Sequence, residues 1–466
     1  MIRFLLNDRI INTPLPPAST LLDFIRYETG LRGTKIGCRE GDCGACTVLI
    51  GTPDGNDVKY KCVTSCLTPI ANVSGKHVVT VEGLNLEGLN IVQRALVNHS
   101  GTQCGFCTPG FVTSLCAFAL NSTRSSKPED ALSSIDGNIC RCTGYKSIER
   151  AAAEICERLM SKDHEHPVKW LVENKFVPKY FLTASDKLRS LPQDECISGM
   201  IPMGGGTDLY VQKFDVAESM SFRYLADEVG LRSIMIADGV CNIGASVTMT
   251  ELMEHPALIE AIPGWHGFLK LIASTPIRNI ATIAGNIVNA SPIGDITIIL
   301  LALNAVITLQ DGSGAARTLP LKDFYKGYKD LNKKDGEIIT GVEFRIPSRD
   351  TLFNFEKVSK RKYLDIASVN TAICIHADGD VITAAQCSAG GVSPVPLHLK
   401  QTSSWLTGKK VTAGLVKHAS EILSGKISPI SDARGSAEYK RLLIRQLFYC
   451  HFLTLFPAQI KMNELV

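Results

Sequence analysis

Eight of the ten cysteines from position 38 to 142 fall into two sets of four. Cys38, Cys43 and Cys46 form a C-x4-C-x2-C run with Cys66 further on, while Cys104 and Cys107 (C-x2-C) precede Cys140 and Cys142 (C-x-C). A 2Fe-2S cluster needs four thiolates close together, two for each iron, and the first run has the plant-type spacing for one. Gly37, Gly41 and Gly44 interleave that run. A tight loop there calls for positive φ and backbone N–H groups aimed at sulfur, and such donors help set a cluster's potential. Zinc is a weak rival for the first set, because zinc knuckles usually come as two C-x2-4-C pairs, and a fair rival for the second. Cys62 lies four residues before Cys66, so spacing alone leaves either as the fourth ligand. Cys62, Cys116, Cys156, Cys196, Cys241, Cys374, Cys387 and Cys450 show no ligand spacing and read as small buried apolar side chains.

The elements that must position these thiols can be read from periodicity. Residues 2–6 and 9–13 are strands around Asn7-Asp8, followed by an amphipathic helix over 19–29 that Gly30 closes. Strands at 47–50, 58–60 and 77–81 complete a small sheet crossed by one helix, a β-grasp outline. From Leu86 the period is helical, with Leu89, Val92 and Leu96 on one face. Pro109 suits the first position of the next helix, and helices over 129–136 and 145–160 complete a four-helix frame for the second set. Residues 161–178 are charged, carry His164, His166 and Pro167, and read as a linker, the two histidines being solvated. Beyond it the pattern is α+β, shifting to a further α+β module at about Pro347.

The chain has 466 residues, 45% of them hydrophobic and 20% charged, enough for roughly three soluble domains. A net charge of +3, from 49 basic and 46 acidic residues, marks neither nucleic acid nor membrane as a partner. The N-terminus has no export-signal pattern, which suggests a cytoplasmic location. The most apolar stretch, Ile296 to Leu309, is shorter than the ~20 residues of a membrane helix and reads as a buried helix running into a strand. Sixteen cysteines in a reducing compartment favour metal or redox use over disulfides.

Gly37-Cys38 to Cys46-Thr47, Gln103-Cys-Gly-Phe-Cys-Thr-Pro-Gly110 and Cys140-Arg-Cys-Thr-Gly-Tyr145 together resemble the iron–sulfur half of the molybdenum hydroxylases, the xanthine dehydrogenase and aldehyde oxidase family. Gly204-Gly-Gly-Thr-Asp208, Ile277-Arg-Asn-Ile-Ala-Thr-Ile-Ala-Gly-Asn286 and Ala290-Ser-Pro-Ile-Gly-Asp295 resemble its FAD-binding subdomains. The resemblance selects Cys66 over Cys62 and iron over zinc. Three adjacent glycines let backbone amides approach a pyrophosphate, although such a run alone is more often a plain loop. The resemblance implies that Pro202, Met203, Gly204, Gly205, Gly206, Thr207, Asp208 and Leu209 form a pyrophosphate loop, with Thr282, Asn286 and Asp295 making polar contacts to FAD. Ser368 stands after Asp365-Ile366-Ala367 where some members have Lys, which bears on the charge near the flavin. His99-Ser100-Gly101 orders its small residues differently from the family and is expected to change only a turn.

The expected fold is α+β multidomain. It comprises a β-grasp 2Fe-2S ferredoxin-like domain (1–84), a four-helix 2Fe-2S domain (85–160), a linker (161–177), an α+β FAD-binding domain of vanillyl-alcohol-oxidase/CO-dehydrogenase-flavoprotein type (178–346) and an α+β C-terminal flavoprotein domain (347–466). These lengths leave no room for molybdenum-binding domains. The resemblance therefore implies a large partner subunit carrying the molybdenum cofactor, in a heterodimer or dimer of heterodimers, with Gln103 and Cys142 approaching its pterin. It further implies substrate hydroxylation on the partner, hypoxanthine and xanthine to urate, and delivery of electrons through two 2Fe-2S clusters and FAD to NAD+. No acid–base residue of this chain is required for the hydroxylation. Aldehydes or other N-heterocycles are alternative substrates, and a flavin-free ferredoxin-like or zinc-stapled module is the rival of a different class.

Overall fold

The computed structural model describes residues 1–192 and 199–465; Cys196 lies outside them. The chain forms two compact units, Met1–Tyr224 with Ser274–Ile280, and Leu225–Ala273 with Ala281–Val466.

In the first unit, β1 (Ile2–Leu6) and β2 (Arg9–Thr13) form a hairpin. With β3 (Thr47–Asp54), β4 (Asp57–Thr64) and β5 (His77–Val79) they make a five-stranded sheet of order β2-β1-β5-β3-β4, in which β1 and β5 run parallel. The helix expected over 19–29 begins as α1 (Leu21–Asp23), capped by the Thr20 hydroxyl accepting the Asp23 N–H, and continues as a single π turn over Phe24–Glu28. Leu21, Phe24 and Ile25 bury against Phe4, Val48, Ile70 and Val78. Each such side chain contributes about 1.5–3 kcal/mol of burial.

The second cysteine set is framed by α2 (Ile91–Asn98), α3 (Thr108–Asn121), α4 (Pro128–Ser134) and α5 (Lys146–Leu159). Helix α2 starts later than its periodicity suggests. Asn90 and Gln93 close a reciprocal capping box that fixes the start at Ile91 and leaves Leu89 exposed. Helix α3 is central and apolar all round, burying Phe111, Leu115, Cys116 and Ala119. Ser100 adopts φ +54 at the end of α2, so the altered order at 99–101 does place a non-glycine residue in the turn's left-handed position. The segment read as a linker is structured: α6 (Pro167–Glu173) buries Leu171, and Phe176 and Val177 join the same core. Two helical turns are too few for a period to show through that charged composition.

The second unit has a five-stranded antiparallel sheet, ordered 316–320, 306–310, 338–345, 240–244 and 234–237. The Ile296–Leu309 stretch is a buried helix, Asp295–Ala302, followed by the strand Val306–Gln310. A second antiparallel sheet, 351–358, 369–378, 381–390 and 397–398, is covered by helices Ala413–Ser424 and Ala437–Leu455. Among the described residues no helix is long and apolar enough to cross a membrane. Cys62, Cys116, Cys156, Cys241 and Cys387 are buried, whereas Cys374 and Cys450 are partly exposed.

Lys162 is 6% exposed, and its ammonium donates to the carbonyls of Ala119, Leu120 and Ser122 at the end of α3. Lys162→Met removes the donor these carbonyls share, leaving the Ala119 carbonyl only the Ser122 hydroxyl, and is expected to cost about 1–3 kcal/mol. A urea unfolding midpoint equal to that of the wild type would contradict this role.

Candidate functional site

The loop from Gly37 to Cys46 bares its thiols by backbone shape. Gly41 and Gly44 have φ of +79° and +67°, as a tight turn requires. Gly37 is needed for a different reason from the one expected: its φ is ordinary, but a Cβ there would lie 2.6 Å from Cys43 Sγ. The thiols pair two by two. The Cys38 N–H donates to Cys43 Sγ at 3.4 Å, and the Glu40 and Cys43 N–H groups donate to Cys38 Sγ at 3.3 and 3.4 Å. The Cys43 thiol, helped by the Glu40, Cys43 and Asp42 amides, draws the Cys38 thiol down to about 5. Cys46 Sγ lies 3.4 Å from Cys66 Sγ, which the 3-10 turn Ser65–Leu67 presents just after β4. Cys62 faces elsewhere, in the core that contains Phe111 and Leu115, where burial pushes its thiol up to about 12.

The second set pairs likewise. Cys142 Sγ is 3.5 Å from Cys104 Sγ, and burial, together with the neighbouring Cys140 thiol, pushes the Cys107 thiol up to about 12. The Cys142 and Thr143 N–H groups point at Cys140 Sγ, each at 3.5 Å, and the Cys140 N–H donates to the Tyr145 hydroxyl at 3.0 Å. Cys104 and Cys142 are exposed, as are Gln103, Phe106 and Tyr145 around them. Among the described residues no three His, Cys, Asp or Glu side chains converge on one ion. Two pairs of thiols with amide donors to sulfur fit a binuclear iron–sulfur centre at each set, since each iron takes two protein ligands.

The two loops are bonded to each other through residues that sequence spacing does not single out. The Ile139 N–H donates to the Cys43 carbonyl at 3.0 Å. Asn138 donates to the Gly44 carbonyl at 3.1 Å and accepts from Ser114 Oγ at 2.7 Å. The approach is so close that a Cβ on Gly44 would lie 2.2 Å from the Gly137 carbonyl oxygen, and one on Gly110 would lie 2.3 Å from that of Gly44.

The glycine-rich segment belongs to the first unit. Strand Ile201–Met203 pairs in parallel with Phe222–Tyr224, and residues 204–208 turn into a short helix at Leu209, with φ +79° at Gly206. Met203, Tyr210 and Phe222 pack in one apolar cluster with Cys46 and Cys66, and the Tyr210 hydroxyl donates to the Ala18 carbonyl at 2.6 Å. A side-chain-free Gly204-Gly205-Gly206 turn fits close approach of a phosphate to the backbone. Thr282, Asn286 and Asp295 lie in the second unit. Thr282 caps the helix Ile283–Asn289 by accepting from the Gly285 N–H, and Asn286 Oδ1 accepts from Thr297 Oγ1. Asp295 is held by Lys357 Nζ at 2.7 Å and by Asn370 Nδ2 at 2.5 Å. Ser368 is buried and donates to the Arg434 carbonyl. The start of the 277–286 motif belongs to the first unit. There Arg278 is 1% exposed and pairs with Asp136 at 2.7 Å, Thr275 N–H donates to Asp136 Oδ1 at 2.7 Å, and Asn279 donates to the Cys62 carbonyl at 2.7 Å.

Four family models match the chain. A 2Fe-2S iron–sulfur cluster binding domain matches residues 5–71 and a second 2Fe-2S binding domain residues 80–153. The FAD binding domain in molybdopterin dehydrogenase matches 184–348, and the CO dehydrogenase flavoprotein C-terminal domain 355–455. Similar curated proteins include xanthine dehydrogenases of Blastobotrys adeninivorans (29% identical over 96% of this chain and 40% of that protein) and Emericella nidulans (30%, 88% and 35%). Xanthine dehydrogenase 1 of Arabidopsis thaliana is 28% identical over 93% of this chain and 38% of that protein. The chain thus spans about two fifths of the length of these relatives. Among solved structures, quinoline 2-oxidoreductase from Pseudomonas putida 86 aligns with 55% of this chain and 88% of its own at TM-score 0.50 and 23% identity. A carbon monoxide dehydrogenase from Hydrogenophaga pseudoflava aligns with 56% and 90% at TM-score 0.51 and 22% identity, a likeness of fold. The order of two iron–sulfur domains, an FAD-binding domain and a flavoprotein C-terminal domain makes this chain an electron-transfer module of the molybdenum hydroxylase family.

Proposed function

We propose that the chain is the iron–sulfur and FAD subunit of a xanthine dehydrogenase, working with a separate molybdenum-binding subunit and delivering two electrons per turnover to NAD+. The partner hydroxylates hypoxanthine and xanthine to urate with oxygen from water, each step releasing two electrons. The likeness to xanthine dehydrogenases along 88–96% of the chain supports the substrate class.

Within this chain Cys38, Cys43, Cys46 and Cys66 would hold the first cluster, and Cys104, Cys107, Cys140 and Cys142 the second. Pro202, Met203, Gly204, Gly205, Gly206, Thr207, Asp208 and Leu209, with Thr282, Asn286 and Asp295, bind FAD. When bound, the clusters supply one-electron transfer and FAD the change to two-electron hydride chemistry. The chain's own part is placement. The exposed edge at Gln103, Cys104 and Cys142 is open to a partner's cofactor. The observation that carries the proposal is the Ile139 N–H to Cys43 carbonyl bond, because Ile139 is bonded directly to Cys140 and so the two thiol sets share a path interrupted by a single hydrogen bond. At the other end Cys46 and Cys66 share one apolar cluster with Met203 and Tyr210, within and beside the glycine-rich segment.

Cys104→Ser is expected to abolish one of two reduced-cluster EPR signals while flavin stays bound; survival of both signals would contradict the assignment. Cys62→Ser should leave both intact, whereas Cys66→Ser removes the ferredoxin-type signal, and the reverse result would move the fourth ligand to Cys62. Purification from its native source should bring down a molybdenum-containing chain whose complex reduces NAD+ with xanthine. A complex turning over only aldehydes or other heterocycles would overturn the substrate assignment.

A further inference from the structure

Arg39 follows the first thiol of the ferredoxin-like set and has φ +58°, a left-handed conformation costly for any residue but glycine. A position of this kind persists only where the surroundings over-determine it, and here they do. The guanidinium makes a two-pronged ion pair with Asp23, Nη1 to Oδ2 at 2.9 Å and Nη2 to Oδ1 at 2.6 Å, the geometry in which arginine is most directional. Its carbon also lies 5.0 Å from the centroid of the Phe214 ring. Asp23 is itself fixed, accepting from the Thr20 hydroxyl at 2.6 Å on a helix that packs against the sheet. The next residue, Glu40, supplies one of the N–H groups pointing at Cys38 Sγ, and Cys43 supplies another. The side chain therefore ties the strained turn of the thiol loop to α1, and the turn aims the donors.

We propose that Arg39 is a positioning residue for electron transfer: its clamp on Asp23 and Phe214 holds the 38–43 turn so that backbone N–H groups point at the Cys38 sulfur and raise the first cluster's reduction potential. The proposal rests on the assignment of Cys38 as a ligand of that cluster. Donors to sulfur favour the reduced, more negative state. Releasing the turn makes the cluster harder to reduce, whichever end of the clamp is cut. A role through charge alone behaves differently, since losing the cation lowers the potential and losing the anion raises it.

The test is an EPR-monitored redox titration of the whole flavin-bearing chain carrying Arg39→Ala, Arg39→Lys, Arg39→Gly or Asp23→Asn. Arg39→Ala and Asp23→Asn should both lower the midpoint of the ferredoxin-type signal, by about tenfold in the reduction equilibrium, ~59 mV for one electron. Arg39→Lys, which cannot form the fork, should follow them. Arg39→Gly, free to adopt positive φ, should shift less than Arg39→Ala. The other cluster's midpoint and the flavin content should stay unchanged, which separates this effect from misfolding. Opposite shifts for Arg39→Ala and Asp23→Asn, or no shift in either, would overturn the proposal. Absence of any ferredoxin-type signal in the wild type would instead remove the ligand assignment beneath it.

Discussion

The hydrogen bond from the Ile139 amide to the Cys43 carbonyl is the constraint that the rest of the first unit serves. It holds only if two loops, about a hundred residues apart in sequence, approach backbone to backbone. That is why Gly44 and Gly110 carry no Cβ and why Asn138 satisfies the Gly44 carbonyl from within the core. The Gly44 carbonyl also accepts from the Thr47 N–H and hydroxyl, so the asparagine adds one more donor where the two loops meet. The sheet supplies one loop and the α3–α5 frame the other, and each rests on a buried apolar cluster.

The segment 274–280 adds a second constraint. Arg278 and Asp136 are almost completely buried and hydrogen-bonded, an arrangement in which removing one partner costs far more than the pair contributes. Asp136 lies just ahead of Asn138 and Cys140, so the ion pair anchors the turn that delivers the second thiol set. The beginning of the 277–286 motif thus supports the two thiol-bearing loops, while Thr282, Asn286 and Asp295 are organised by separate hydrogen bonds in the second unit.

Much of this was legible in the sequence because cluster chemistry imposes spacing. The C-x4-C-x2-C run, the interleaved glycines and the hairpin at Asn7-Asp8 follow local rules, and the β-grasp sheet and four-helix frame come with them. What stayed hidden depends on tertiary contact. Gly37 excludes a Cβ from a sulfur rather than adopting positive φ. Helix α6 is too short to show a period, and Leu89 is excluded from α2 by a side-chain cap. Asn138, Arg39 and Asp136 act on partners 16 or more residues away, and no spacing rule marks such residues. Where a cysteine pair was ambiguous by distance along the chain, as with Cys62 and Cys66, the end of β4 separates them: Cys62 points into the α3 core and Cys66 turns toward Cys46.

The central claim is that eight thiols of one chain hold two binuclear clusters beside a bound flavin. Metal, acid-labile sulfide and flavin analysis of anaerobically prepared protein tests it most directly. About four irons, four sulfides and one FAD per chain are expected; zinc in place of iron, half that iron, or no flavin released on denaturation would contradict it.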